Sequence, residues 1–394
     1  MKILQVISYF TEKRGGDVNI CYNLSKELIE LGHDVTIITT DFEFNPSYAQ
    51  SLKKAKIIPF KRVVNLGLFI YTPEMAQWLK MNISDYDVVH LHNVRSYQNN
   101  LVLKYARDNN IPYILQPHGT ILRIVEKENF KKLYDFVWGN RIIQYASKIV
   151  AVSKNEVEQF KKIKIPDSKI IVIPNGIKDI TLQILPPFGK FKKRYNIHEK
   201  KIILYVGRIH RRKGIDVLIN AFNSFINTWS KDDVILIIVG PDDGYRTSLE
   251  ELVKKLDLTN KVKFIGFIPS LTDAYIDANL LVYPAIHEIF GLVPFEALIY
   301  GTPVIVADDS GCGDLIKGAA CGYLVHYGDV AGLAEMIRYA LEHPEKNEKM
   351  VIAGRHYIKE NLAWEKIGRQ VEKMYENCAL KSNISGTDNI KNLD

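Results

Sequence analysis

The sequence predicts an α/β protein that contains two doubly wound parallel sheets, and three observations lead to this prediction. Short β-branched runs alternate with helix-length amphipathic segments, which is typical of parallel strands joined by crossover helices. The alternation restarts after a segment rich in proline, glycine and lysine near residue 190. A chain of 394 residues is also too long for a single hydrophobic core. We therefore expect two Rossmann-like domains that face a central cleft.

The first domain is expected to cover residues 1–180. Its predicted strands are short apolar runs at Ile3–Ser8, Val35–Thr39, Val88–Leu91, Tyr113–Gln116, Lys148–Val152 and Ile170–Ile173. Gly15-Gly16 follows the first strand and precedes a helix predicted from about Val18 to Leu31. Gly32 would end that helix, because glycine readily adopts the left-handed conformation of a C-cap.

The second domain is expected to cover residues 201–362, after a linker at residues 181–200. Its predicted strands are Ile202–Val206, Val234–Val239, Val262–Ile265, Leu280–Val282 and Val304–Val306. A last helix is predicted over about residues 363–378. The polar tail, residues 381–394, is expected to be disordered because it has little apolar surface to bury.

The composition indicates an ordinary globular protein, with 47% hydrophobic and 25% charged residues. No apolar run is long enough to span a bilayer, and the first residues form a β-rich run instead of a signal peptide. We therefore expect a cytoplasmic protein. The four cysteines are scattered without a C-x-x-C pair, so we expect reduced thiols and no metal site.

The net charge is +7, and lysine and arginine are concentrated in the first half. One interpretation is a solvated basic surface. The alternative is attraction to an anionic membrane face, where the protein would be peripheral, or to a phosphorylated acceptor. Residues 123–143, which mix basic and aromatic side chains, are the candidate membrane contact. Nucleic acid binding is not predicted, because no recognised motif accompanies the charge.

The stretch from His287 to Val304 is the most informative motif. Glu288 and Glu296 are separated by seven residues across a glycine turn that opens a helix. Gly291 allows the backbone to approach a ligand closely. The helix start offers unpaired amides and the positive end of the helix dipole, which suit a phosphate. Each carboxylate could accept a hydrogen bond from a hydroxyl on one side of a diphosphate, so the motif predicts a nucleotide-sugar site.

A second motif combines two cations in one loop. Gly207-Arg208 ends the first strand of the second half, and Lys213 opens the helix that follows. Two fixed cations at this point could neutralise a departing diphosphate. Because both side chains lie in a loop, we expect their replacement to lower turnover with little effect on folding.

With these motifs the chain resembles retaining glycosyltransferase family 4, which has the GT-B fold and an E-x7-E motif at the positions of Glu288 and Glu296. The resemblance implies that the last helix crosses back onto the first domain. It also implies that His118 reaches the donor sugar and the reaction centre. Gly15 and Gly16 correspond to a glycine-rich loop that passes close to the donor phosphate and the acceptor.

The resemblance also assigns roles to residues of the second domain. Arg208 and Lys213 would contact the donor phosphates, and Glu296 would hold the ribose. Backbone groups of Gly266, Phe267 and Ile268 would hold the nucleobase. The donor sugar and β-phosphate would be held by Glu288 together with the amides of Phe290, Gly291, Leu292 and Val293.

The predicted function is transfer of a sugar from a nucleoside diphosphate to an acceptor hydroxyl with retention of configuration. The acceptor would belong to glycan, glycolipid or lipid-linked oligosaccharide synthesis, and we expect no cofactor and no essential metal. Two alternatives stay open: an epimerase-like or phosphorylase-like enzyme of similar fold, and a non-catalytic subunit that binds a partner.

Two other patterns are expected to be structural. Asp85-Tyr86-Asp87 has the spacing of a metal-binding D-x-D motif, but it precedes a strand instead of following one. His90 and His92 alternate on one strand face, and no third zinc ligand lies nearby in the sequence.

Overall fold

The chain folds into two units, one formed by Met1–Gly176 with Trp364–Asp394 and the other by Ile177–Ala363. The structure is a computed structural model that describes residues 1–66, 69–121, 134–135, 139–178, 186–286 and 288–388, except for the side chains of Arg14 and of residues 381–388. Most of the candidate membrane segment, residues 123–143, lies outside the described residues. His287 also lies outside them.

The first unit contains a seven-stranded sheet in the order β3-β2-β1-β6-β7-β8-β9, in which every described pair is parallel. Its strands are β1 (Lys2–Val6), β2 (Asp34–Thr40), β3 (Lys56–Phe60), β6 (Val88–His92), β7 (Tyr113–Gln116), β8 (Lys148–Ala151) and β9 (Ile170–Val172). A separate antiparallel hairpin is formed by β4 (Val64–Leu66) and β5 (Phe69–Tyr71).

Helices cover both faces of this sheet. They are α1 (Gly16–Glu30), α2 (Pro46–Ser51), α3 (Pro73–Asn82), α4 (Tyr97–Asp108), α5 (Asn140–Tyr145) and α6 (Lys154–Lys162). Neighbouring residues of β1 show the two layers, since Ile3 packs in the cluster that contains α1 and Leu4 in the cluster that contains α3 and α4. A strand buried on both faces reads as a continuous apolar run, which explains why these strands were predictable.

The second unit contains a six-stranded parallel sheet in the order β12-β11-β10-β13-β14-β15. Its strands are β10 (Lys201–Val206), β11 (Val234–Val239), β12 (Val262–Gly266), β13 (Leu280–Tyr283), β14 (Val304–Ala307) and β15 (Tyr323–Val325). Its helices are α7 (Lys190–Tyr195), α8 (Ile215–Ile226), α9 (Arg246–Lys255), α10 (Thr272–Asp277), α11 (Leu292–Tyr300), α12 (Gly311–Ala319), α13 (Val330–Glu342) and α14 (Pro344–Tyr357).

The last helix, α15 (Trp364–Asp388), belongs to the first unit, so the predicted crossing back is confirmed. Its apolar stripe joins the core of that unit through Ile367, Val371, Met374, Tyr375 and Cys378. Their spacing of three and four residues places them on one helix face. The helix continues ten residues beyond the predicted end at Cys378, so part of the segment expected to be disordered is helical.

The predicted linker also contains ordered structure. Helix α7 lies within residues 181–200, and Phe191 on it is buried. The buried carboxylate of Asp277 accepts hydrogen bonds from the amides of Gly189 and Lys192, at 2.5 and 2.9 Å. These bonds tie α7 to α10, so the second unit begins at Ile177 instead of residue 201.

Candidate functional site

Strand order places the candidate site of the second unit. Beginning at β10, the chain adds β11 and β12 on one side and β13 to β15 on the other, so the winding direction reverses between β10 and β13. Ligands of doubly wound sheets bind outside the carboxyl ends of the strands at such a reversal. Gly207 follows β10 and Pro284 follows β13, so the two predicted motifs meet at this edge.

Glycines shape the loop after β10. Gly214 has a φ of 66°, and an added Cβ would collide with the carbonyl oxygen of Pro284, so the loop packs closely against the end of β13. A 3₁₀ turn at Arg211–Lys213 precedes it. This close packing brings Lys213 to the residues that follow β13.

Lys213, Glu288 and Tyr283 form one cluster. The ammonium of Lys213 lies 2.5 Å from Oε2 of Glu288 and 3.0 Å from the hydroxyl of Tyr283. Tyr283 also donates to the same carboxylate oxygen at 2.7 Å. The side chains of Lys213 and Glu288 are only 18% and 20% exposed. The two residues, which were predicted to contact different parts of a ligand, therefore contact each other directly.

The charge state of Glu288 follows from these contacts. Burial by itself would raise the pKa of this carboxyl, but Lys213, the hydrogen bond from Tyr283 and the nearby charge of Arg208 together hold the pKa below its ordinary value. Glu288 is therefore an anion at neutral pH. Because Lys213 compensates a largely buried charge, we expect its replacement to destabilise the unit, in contrast to the small folding effect that the sequence predicted.

Arg208 is in a different environment from Lys213. Its guanidinium lies 2.8 Å from Oδ2 of Asp243, but the side chains are 58% and 42% exposed. An ion pair this exposed contributes little to stability. Arg208 is thus an exposed cation paired with Asp243, and the expectation of a small folding effect stands as a prediction for this residue.

Glu296 lies in the first turns of α11, where its Oε2 accepts a hydrogen bond of 2.8 Å from the hydroxyl of Tyr275. Burial raises the pKa of Glu296, and the hydrogen bond from Tyr275 offsets only part of that effect. Thr302 in turn donates to the carbonyl of Tyr275 at 2.5 Å. The carboxylate is thus held by a fixed partner and keeps acceptor capacity for a ligand hydroxyl.

The start of α11 has the geometry expected of an anion site. Gly291 is the N-cap, with φ 72° and ψ 90°, and an added Cβ would lie 3.1 Å from Sγ of Cys312. Glycine has no side chain to cap the first turn. The first turn, which contains the amides of Leu292 and Val293, therefore has no side-chain cap, and a helix start of this kind suits an anion. Lys213 contacts Glu288, which precedes this turn.

The segment predicted to hold a nucleobase lies at the carboxyl end of β12. Gly266 has a φ of 82°, and its carbonyl oxygen accepts a hydrogen bond of 2.9 Å from the amide of Gly240. The ring of Phe267 is 58% exposed. The carbonyl of Gly266 is therefore already engaged, and the exposed ring offers a surface for stacking.

In the first unit, the predicted residues lie at the carboxyl ends of β1 and β7. Gly15 has a φ of 79° and is the N-cap of α1, which begins at Gly16. His118 follows β7 with a φ of 51°, and its Nε2 lies 2.9 Å from Nδ1 of His92. His118 is thus engaged by another histidine.

The two patterns expected to be structural have structural partners. His90 and His92 are buried with stacked rings 4.6 Å apart. Asp87 accepts a hydrogen bond of 2.7 Å from the amide of Lys2. Within the part of the chain that the structure describes, no group of three His, Cys, Asp or Glu side chains could hold a metal ion.

Three residues to which the sequence assigned no role contact predicted site residues: Tyr283 contacts Glu288, Tyr275 contacts Glu296 and Asp243 contacts Arg208. Tyr283 ends a strand beside the reversal point, which is a usable signal. Asp243 lies in the loop that follows β11. Tyr275 lies in a short helix far from both motifs, and its contact with Glu296 exists only in the fold.

Comparison with known families agrees with this arrangement. Residues 14–179 match the family Glycosyltransferase Family 4, and residues 188–357 match Glycosyl transferases group 1. The chain is a GT-B glycosyltransferase similar to family 4.

Two distant relatives match along nearly their whole length. An uncharacterised glycosyltransferase of Methanocaldococcus jannaschii is 26% identical over 95% of this chain and 98% of its own. The N-acetyl-alpha-D-glucosaminyl L-malate synthase of Bacillus anthracis is 26% identical over 92% of this chain and 93% of its own.

A solved structure shares the fold of this glycosyltransferase. HepE from Anabaena, in complex with UDP-glucose, aligns with a TM-score of 0.79 at 21% identity, over 96% of this chain and 100% of its own. No helix among the described residues is both long and apolar enough to cross a bilayer.

Proposed function

We propose that this glycosyltransferase moves a sugar from a nucleoside diphosphate to an acceptor hydroxyl with retention of configuration. One observation carries the proposal: a lysine paired with a partly buried carboxylate lies beside the start of a helix that contains a second partly buried carboxylate. A nucleotide sugar has a diphosphate between two hydroxyl-bearing rings. Its phosphate charges match the lysine and the helix amides, and its hydroxyl donors match the two carboxylate acceptors.

Each group of the donor then has a partner. Lys213, Arg208 and the amides of Phe290, Gly291, Leu292 and Val293 hold the diphosphate. Glu288 accepts from a sugar hydroxyl, and Glu296 accepts from the ribose. Gly266, Phe267 and Ile268 hold the nucleobase, and the exposed ring of Phe267 supports this role. In the first unit, we assign His118 to the transferred sugar and Gly15 and Gly16 to the donor phosphate.

The reaction we propose is a front-face displacement. The leaving diphosphate accepts the proton of the acceptor hydroxyl while the sugar moves to the acceptor oxygen. The negative charge that develops on the diphosphate is stabilised by Lys213, Arg208 and the dipole of α11. Because fixed cations occupy the place where a divalent ion would bridge the phosphates, we propose that no metal and no cofactor are needed.

We propose that the acceptor is a glycan or lipid-linked hydroxyl, reached by peripheral contact with an anionic membrane. This part of the proposal rests on the sequence, which has a net charge of +7 and contains basic and aromatic residues in segment 123–143. Binding to anionic vesicles that weakens steeply with salt would support the contact. A protein that ignores such vesicles at low salt would indicate a soluble acceptor.

The deciding experiment is incubation with UDP-, GDP- and ADP-sugars while released nucleoside diphosphate is measured. UDP-glucose comes first, because the HepE structure holds it. We expect release with at least one donor and a product of the donor's anomeric configuration. Lys213→Met should lower release about 10²–10³-fold, while Lys254→Met, on the exposed side of α9, should not. No release from any donor would contradict the proposal.

A further inference from the structure

A row of buried polar side chains in the first unit leads to His118. It begins at the hydroxyl of Tyr375 on α15, which lies 2.5 Å from Nδ1 of His90 and 3.5 Å from Nε2 of Gln5. Oε1 of Gln5 lies 2.7 Å from Nε2 of His92. Nδ1 of His92 then lies 2.9 Å from Nε2 of His118. None of these contacts is used by the roles assigned above.

The chemistry of the groups fixes where the protons lie. Oε1 of Gln5 can only accept, so Nε2 of His92 carries a hydrogen. A neutral imidazole has one N–H, so Nδ1 of His92 has a lone pair and accepts. Nε2 of His118 must therefore donate to it, which leaves the lone pair of His118 on Nδ1.

The surroundings keep these rings neutral. Burial lowers the pKa of His118 to about 4 and that of His90 to about 3, and it holds the pKa of His92 well below its ordinary value. The three rings also stack in series, with centroids 4.6 Å apart for His90 and His92 and 5.2 Å apart for His92 and His118. Protonating one ring would place a charge against its neighbour.

The backbone of His118 is fixed separately. Its φ of 51° is uncommon for a residue with a side chain. The next residue, Gly119, donates its amide to Oε1 of the buried Glu156 at 2.9 Å, and Oε2 of Glu156 accepts from the amide of Val152. Thr120 closes the turn by donating its amide to the carbonyl of Pro117 at 3.0 Å. The loop is held by Glu156 and the ring by His92.

We propose that His92, oriented by Gln5, is a positioning residue that fixes His118 with its hydrogen on Nε2 and its lone pair on Nδ1. This inference rests on the proposed function, because it specifies what His118 offers the substrate. A lone pair accepts a hydrogen bond from a hydroxyl and repels a phosphate oxygen. His118 therefore binds a sugar or acceptor hydroxyl and does not bind the diphosphate.

The first test reads the His118 ring in the protein without substrate. Nitrogen-15 spectra of histidine-labelled full-length protein distinguish an N–H nitrogen from one with a lone pair, and His118→Gln assigns the signals. We expect an N–H at Nε2 and a lone pair at Nδ1. A hydrogen on Nδ1 would overturn the proposal. This result is independent of catalysis, so it stands apart from any failure to find sugar transfer.

The second test separates positioning from general packing through a matched pair, His92→Phe and His90→Phe. Both replace a buried histidine of β6 by a ring of similar shape, but His92 is hydrogen-bonded to His118 whereas His90 is hydrogen-bonded to Tyr375. We expect His92→Phe to mix the two tautomers and to lower kcat about 10- to 100-fold, since a misplaced catalytic group commonly costs this much. His90→Phe should keep kcat within about twofold and preserve the His118 spectrum.

A third variant tests for rescue. In His92→Asn the amide oxygen replaces Nδ1, because both atoms are bonded to the Cγ carbon, so it can still accept from His118. We expect this variant to restore the His118 spectrum and most of kcat at an unchanged KM for the donor. The proposal is wrong if His92→Phe keeps the wild-type tautomer and turnover, or if His90→Phe changes them equally.

Discussion

Replacing Lys213 by Met should destabilise the second unit, because the substitution leaves the carboxylate of Glu288 buried without its cation. The ion pair is 2.5 Å long, and about a fifth of each side chain remains exposed. Removing one partner of a buried pair costs about 3–5 kcal/mol. The remaining exposure places the expected loss near the lower limit, at about 3 kcal/mol. A unit of this size should then melt about 6–12 °C lower.

Thermal unfolding of four proteins measures this effect: the wild type, Lys213→Met, Glu288→Gln and the double variant. In the double variant no unpaired charge remains, so most of the lost melting temperature should return. Arg208→Met is the matched control, since its ion pair with Asp243 is exposed and should shift the melting temperature by about 2 °C or less.

The pH dependence gives an independent check. In the wild type the low pKa of Glu288 contributes stability that is present above the unfolded-state pKa and is lost as the pH falls. Without Lys213 the carboxyl should have a raised pKa, so the variant should regain stability relative to the wild type in acid. The reasoning would be refuted if Lys213→Met melted at the wild-type temperature. It would also be refuted if the double variant were no more stable than Lys213→Met.

Three further predictions concern other parts of the molecule. Burial raises the pKa of Glu156 to about 7, so its contribution to stability is full below about pH 4.5 and is lower by on the order of 3 kcal/mol at pH 7. Denaturant titrations should show that Glu156→Gln removes this fall of stability with pH and that Glu158→Gln keeps it. Gly240→Ala should prevent folding, because the new Cβ would collide with the carbonyl oxygen of Gly207. Gly318→Ala should raise the melting temperature slightly, because its Cβ would have no neighbouring atom within contact distance and alanine favours a helix. Turnover should persist in excess chelator; loss that Mg²⁺ or Mn²⁺ restores would refute metal independence.

The parallel strands were predictable because burial on both sheet faces leaves continuous apolar runs, as in β10. The missed strand β3 is an edge strand that contains Pro59, and the missed β15 is an edge strand of three residues. Such strands are half-buried or too short to show a periodic pattern. Helix α7 was missed because its surface is basic and only Phe191 is buried.

The residues of the site were predictable one by one, but several of their contacts were not. Glycines and charged residues at strand ends identified Lys213 and Glu288, yet these residues are 75 positions apart, and their ion pair depends on the packing of Gly214 against Pro284. The contact of Glu296 with Tyr275 is likewise a product of the fold. The sequence therefore indicated the chemistry, and tertiary packing determined which groups compensate each other.

Titration of the full chain with nucleoside diphosphates tests most directly the claim that this site binds a nucleotide sugar. UDP, GDP and ADP would each be added to the wild type, Glu296→Gln and Glu288→Gln in the presence of chelator. For the tightest nucleotide, Glu296→Gln should weaken binding about 10- to 100-fold, because it loses a charged acceptor for the ribose. Glu288→Gln should bind it as well as the wild type and transfer sugar more slowly. Absence of binding by all three nucleotides, or equal losses in the two variants, would contradict the account.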